Sequence, residues 1–117
     1  MKRILVVDDS NLMRNRISQC LTEAGHEVVG KGKDGSEAVE LYSKLHPDIV
    51  TLDVTMRGKD GISAAQEILK LDSAASIIFY TLLDNPSLAA RIERMEVTKV
   101  VRKGDEGQLL RALDAFA

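Results

Sequence analysis

Three aspartates, a threonine and a lysine stand out in this sequence. Asp8 and Asp9 end the apolar run Ile4-Leu5-Val6-Val7. Asp53 ends a second such run, Ile49-Val50-Thr51-Leu52. Thr81 closes a strand run Ser76-Ile77-Ile78-Phe79-Tyr80, and Lys103 lies just beyond Val100-Val101. Taken singly, each has an ordinary structural use: Asp8, Asp9 and Asp53 as cap or turn residues, Thr81 as a strand residue, Lys103 as a solvated surface lysine. Taken together they suggest chemistry. Three carboxylates in one place repel each other unless a cation sits among them. An all-oxygen donor set without His or Cys selects a hard ion such as Mg2+. A carboxylate is also a nucleophile toward phosphorus. Phosphoryl transfer needs positioning and neutralisation of the equatorial oxygens, which a cation, an ammonium and a hydroxyl can supply.

For these groups to meet, the strands carrying them must be parallel and adjacent. The pattern meets that demand. Short runs rich in Val and Ile alternate with helical stripes five times. The first helix carries Met13, Ile17, Cys20, Leu21 and Ala24 on one face, with Ser10 or Asp9 as cap and Gly25 after its end. The second strand is Glu27–Gly30, less apolar and so nearer an edge. The second helix has Asp34 as cap, Glu37 three residues on, and a stripe of Ala38, Leu41, Tyr42 and Leu45. Ile62, Ala65, Ile68 and Leu69 mark a third helix after Asp60-Gly61. Leu88, Ala89, Ile92 and Met95 give a weak stripe to a fourth after Asn85-Pro86. Thr98–Val101 is a fifth strand, and Leu109, Leu110, Leu113 and Phe116 mark the last helix. This order predicts an α/β fold: a parallel sheet with helices on both faces and right-handed crossovers. Ligands of such sheets bind beyond the carboxyl ends of the strands, where all five chemical groups fall.

The totals narrow the function. A length of 117 residues suits one domain, 1–117, with no second one expected. Only 3% aromatic residues and a net charge of -2 argue against base stacking or phosphate-backbone attraction, so no direct nucleic-acid binding is expected. No apolar run approaches a membrane span, and the four apolar residues after Met1-Lys2-Arg3 are too few for a signal-peptide core. The single cysteine, Cys20, is read as a small buried hydrophobe in a reducing, cytoplasmic setting. His26 and His46 lack ligand-spaced partners and are read as surface residues.

The sequence resembles the receiver domain of two-component response regulators over essentially its whole length. The resemblance rests on Asp8-Asp9, Asp53, Thr81 and Lys103, supported by Asp53-Val54-Thr55-Met56, Asp60-Gly61 and Asp34-Gly35-Ser36-Glu37-Ala38. It implies a flavodoxin-like sheet of order 2-1-3-4-5. It implies that Asp53 accepts a phosphoryl group from a histidine kinase or phosphotransfer protein. Mg2+ would be held by Asp9, Asp53 and the Thr55 carbonyl, with Asp8 acting through water. Lys103 would pair with the acceptor, and Thr81 would move in to hydrogen-bond a phosphoryl oxygen. A receiver turns over no separate metabolite. It switches protein partners, here through the fourth helix, fifth strand and fifth helix, including Leu88, Arg91, Ile92, Lys99 and Arg102, as a monomer or weak dimer in settings such as chemotaxis.

Four positions depart from the family pattern. Arg57 replaces a common Pro. Leu82 replaces a small residue after Thr81, and is expected to crowd the phosphoryl pocket. Gly104 replaces a Pro after Lys103 that is often cis. A non-proline cis bond costs about 2.5–4 kcal/mol, so a trans peptide or a rearranged loop is expected. Val100 stands where the family has a rotating aromatic, so a readout would have to use the backbone of the fourth strand and helix. Thr55 and Leu83 occupy positions that influence water attack on the phosphoaspartate, and apolar Leu83 suggests a long-lived phosphorylated form. A degenerate receiver acting as a phosphorylation-independent interaction module is the alternative that Leu82, Val100 and Gly104 motivate.

Overall fold

The computed structural model describes residues 1–82, 86–95 and 98–116. The elements alternate throughout: β1 (Arg3–Val7), α1 (Asn11–Glu23), β2 (Glu27–Gly32), α2 (Gly35–Leu45), β3 (Ile49–Leu52), α3 (Gly61–Leu71), β4 (Ile77–Thr81), α4 (Pro86–Glu93), β5 (Thr98–Arg102) and α5 (Glu106–Ala115). All five strands are parallel, in the order β2-β1-β3-β4-β5. The order reverses direction at β1, so the ends of β1 and β3 flank the crevice where such folds place ligands.

The strand alternation divides the core in two. Ile4, Val6, Ile49, Ile78, Tyr80 and Val101 pack against Ile17 and Leu21 of α1 and Leu109 and Leu113 of α5. Leu5, Val7, Val50, Leu52, Ile77 and Phe79 pack against α2, α3 and Ile92 of α4. Central β3 and β4 are buried along their whole length, as strands covered on both faces must be. The edge strands β2 and β5 are more exposed.

Helix starts follow the sequence closely. Ser10, rather than Asp9, caps α1 by accepting from the Met13 N–H. Asp34, Asp60 and Asp105 cap α2, α3 and α5 in the same way. Glu37 reaches back to the Lys33 N–H, one residue short of a full capping box. Gly25 adopts φ +91 after α1, a region that favours glycine.

The structure corrects several details. β2 continues to Gly32 and β5 to Arg102, because pairing with a neighbour extends them past their apolar residues. Ala24 is exposed, since it is the C-cap of α1 rather than part of its buried face. His26 is half-buried and accepts from the Lys2 N–H. Cys20 is half-buried, not buried. Desolvation, reinforced by the neighbouring Glu106 carboxylate, pushes its thiol up to about 11. The Asn85 half of the predicted Asn85-Pro86 helix start lies outside the described residues. Of the described part of α4, Ile92 alone is buried.

The Cys20 environment gives a test. Thiolate is the reactive species, and a free thiol ionises near pH 8.5. At pH 8 the folded protein should therefore alkylate on the order of 10-fold or more slowly than the urea-unfolded chain. The folded-state rate should climb as pH rises from 9 to 11. The raised folded-state value also means that stability is lost, not gained, over that same rise. Equal folded and unfolded rates at pH 8 would contradict the assignment.

Candidate functional site

Asp8, Asp9, Asp53 and Lys103 are the first or second residues beyond β1, β3 and β5, and Thr81 is the last residue of β4. The Asp8 N–H donates to the Gly32 carbonyl at 3.1 Å, the Asp53 N–H to Val7 at 3.0 Å and the Lys103 N–H to Thr81 at 2.9 Å. These bonds fix Asp8, Asp53 and Lys103 relative to the neighbouring strands β2, β1 and β4. Asp8 and Asp53 are buried, at 1% and 6% exposure, whereas Asp9 faces solvent. Carboxylate oxygens of Asp8, Asp9 and Asp53 all lie within 4.8 Å of one another.

The Lys103 ammonium binds this cluster together. It donates to Asp53 Oδ2 at 2.9 Å and lies 2.8 Å from Asp8 Oδ2. Thr81 is buried and its hydroxyl donates to the other Asp53 oxygen, Oδ1, at 3.0 Å. Asp8 is oriented by the Ser10 N–H, which donates to Oδ1 at 2.9 Å, and its carbonyl accepts from Arg14 Nη1 at 2.6 Å. The Asp8–Lys103 contact is an ion pair without hydrogen-bond alignment, so Asp8 Oδ2 is a buried oxygen with no aligned donor. Burial pushes the Asp53 carboxyl up, the Lys103 contact opposes this, and the nearby Asp8 charge adds to the rise. For Lys103 burial acts downward, but the two carboxylates outweigh it and hold the ammonium above its ordinary value.

The donor set fits a divalent cation. Three carboxylates and one ammonium leave two negative charges uncompensated, and a hard dication balances both. The donors are all oxygen, and Asp8 Oδ2 retains a free lone pair. Thr55, two residues past Asp53, has an exposed side chain, and its assigned donor is the main-chain carbonyl.

The supporting contacts include several that the sequence did not reveal. A Cβ on Gly61 would lie 2.1 Å from the Asp53 carbonyl oxygen, so α3 begins in direct contact with the Asp53 backbone. The Gly61 N–H donates to the Val54 carbonyl at 2.9 Å. Gly35 does the same at the loop's other end, where a Cβ would lie 2.5 Å from the Lys59 carbonyl oxygen. Lys59 in turn pairs with Glu67. The two Asp-Gly pairs of the sequence are thus a cap followed by a close backbone approach. Thr51 Oγ1 is buried without a hydrogen-bond partner.

The departures from the family pattern are also resolved. No cis peptide bond occurs among the described residues, so the Lys103–Gly104 peptide is trans, one of the two expected outcomes, and Gly104 has φ +100. Leu82 is 58% exposed and lies on the wall of a cleft of about 230 Å³ with Met13, Ile17, Lys103 and Leu109, so its side chain is not packed over the carboxylates. Val100 is 40% exposed. Arg57 lines a separate shallow cleft with Asp9, Ser10, Lys33 and Asp34. Leu83 lies outside the described residues. Ile92, assigned to a partner surface, is 4% exposed and belongs to the core instead.

A doubly wound parallel sheet of order 2-1-3-4-5, with acids at the switch point, defines the flavodoxin-like class. Within it, the response regulator receiver domain model matches residues 4–114, and the chain belongs to that family. It is 51% identical over 77 residues to the chemotaxis protein CheY of Thermotoga maritima, covering 66% of this chain and 64% of that protein. It is 39% identical over 114 residues to protein CcdB of Bacillus subtilis, covering 97% and 95%. Its structure matches the CheX-CheY-BeF3-Mg+2 complex from Borrelia burgdorferi with a TM-score of 0.84 at 30% identity, over 95% of this chain and 85% of that one.

Two predictions follow from the geometry. Mg2+ at ten times its dissociation constant should stabilise the fold by about 1.4 kcal/mol, a gain that EDTA reverses and Asp9→Asn diminishes. Affinity should fall with pH as Asp53 takes up a proton, beginning above the range of an exposed aspartate because burial raises its pKa. Calorimetric titrations across pH measure both. Separately, Gly61→Ala should cost about 1–3 kcal/mol in urea unfolding, since its new methyl meets backbone rather than a movable side chain. A neutral Gly61→Ala would show that the contact relaxes freely.

Proposed function

We propose that this receiver accepts a phosphoryl group on Asp53 and changes its protein partners in response. The observation that carries this reading is the three-sided arrangement around Asp53. Lys103 holds one carboxylate oxygen, Thr81 the other, and Asp8 and Asp9 stand beside them. In the reaction, an Asp53 oxygen attacks phosphorus of a phosphohistidine. The P–N bond breaks, and its electron pair and a proton go to the leaving imidazole. Lys103 and Thr81 then face the transferred oxygens, which occupy the region their own donors now reach. Asp9, Asp53 and the Thr55 carbonyl would hold Mg2+, with Asp8 acting through water, and the ion would supply charge neutralisation at those oxygens. The relative crystallised as a complex with BeF3 and Mg2+ supports this assignment.

The donor is a histidine kinase or phosphotransfer protein, and the domain acts in two-component signalling of the chemotaxis type. The output surface is α4, β5 and α5. Arg91 and Arg102 are exposed there, while Lys99 sits 5.3 Å from the centre of the Phe116 ring. Because Val100 carries no ring, the readout uses displacement of the lightly anchored α4, whose single buried residue offers little resistance. The paired contacts of Lys103 favour this reading over a phosphorylation-independent interaction module, which has no use for a buried ammonium shared by two carboxylates.

The test is intact mass after incubation with a small phosphodonor and Mg2+. Wild type should gain one phosphoryl group and Asp53→Asn none. A folded, Mg2+-binding wild type that gains nothing would establish the interaction module instead.

A further inference from the structure

Gly104 does more than release the loop from a proline. Its N–H donates to the Tyr80 hydroxyl at 2.9 Å. A proline at this position has no N–H and makes no such bond. Tyr80 is itself 2% exposed, with its ring packed in the core formed by β1, β3 and β4 with α1 and α5. A buried phenol requires a polar partner. Here the partner is the amide next to Lys103.

We infer that the Tyr80 hydroxyl is a positioning residue for Lys103, replacing by a hydrogen bond the restraint that a proline ring gives elsewhere. The inference rests on the phosphoacceptor reading of Asp53. The backbone on the two sides of the lysine is pinned to consecutive residues of β4. The Lys103 N–H donates to the Thr81 carbonyl at 2.9 Å, and the Gly104 N–H to the Tyr80 hydroxyl at 2.9 Å. A third bond, from the Asp105 N–H to the Arg102 carbonyl at 3.0 Å, closes the turn. Gly104 holds φ +100, which a residue with a side chain adopts only under strain. The turn is therefore permissive at the residue just after the lysine, and the Tyr80 bond removes that freedom. Tyr80 touches neither Asp53 nor Asp8 in any hydrogen bond. Its hydroxyl is linked to the site by the Gly104 turn.

The test is Tyr80→Phe, which deletes the acceptor and keeps the ring. Three readouts on the full chain separate positioning from general destabilisation. The Gly104 amide should exchange faster with solvent, while core amides of β3 keep their protection. Mg2+ affinity should be unchanged, because no carboxylate moves. The rate of phosphorylation by a small phosphodonor should fall about two- to tenfold, the range of one lost hydrogen bond. Tyr42→Phe is the control: its hydroxyl donates to Asp72 at 2.8 Å, away from the site, and its rate should match wild type. Equal rates in Tyr80→Phe and wild type, or unchanged Gly104 exchange, would overturn the inference and leave the phosphoacceptor reading intact. A wild type that takes up no phosphoryl group would overturn both. A matching loss of rate in Tyr42→Phe would show a merely structural effect.

Discussion

The molecule is organised by a charge problem. Two buried carboxylates, from the ends of adjacent strands, share one ammonium. Removing charges from water is expensive, and the attraction inside repays this only where the geometry is good. The sheet supplies that geometry by extending its ladder one residue past each strand. The arrangement is two negative charges short of neutral, and this leaves it receptive to a dication. A neutral site would be more comfortable and less reactive.

Much of this was legible in the sequence because the relevant signals are local. Buried strands declare themselves as unbroken apolar runs, and Ile49–Leu52 and Ile77–Thr81 are covered on both faces as those runs require. Caps are equally local, and Asp34, Asp60 and Asp105 each accept from the third residue onward. Once the strands are parallel, convergence of Asp8, Asp53, Thr81 and Lys103 follows from topology.

What escaped was non-local or a matter of degree. Ala24 fits the period of α1 but falls at its end, where the helix no longer faces the sheet. Ile92 reads equally well as surface or core, and packing against the sheet decided it. The close packing of Gly61 on the Asp53 backbone, which leaves no room for a Cβ, has no signature beyond the glycine itself. Tyr80 offered a stronger hint: a phenol inside a buried strand must find a polar partner, and a glycine where a proline is common provides a spare N–H.

The lysine that offsets the acids comes from the far side of the chain, beyond the fifth strand. Until that strand docks, Asp8 and Asp53 are brought together with no ammonium between them. A sheet without that strand therefore carries an electrostatic penalty that the finished one does not. The Lys103 contact thus certifies that the last strand is in place. A chain frayed at that edge presents Asp8 and Asp53 without their counter-charge, so completing the sheet and offsetting its acids become a single event.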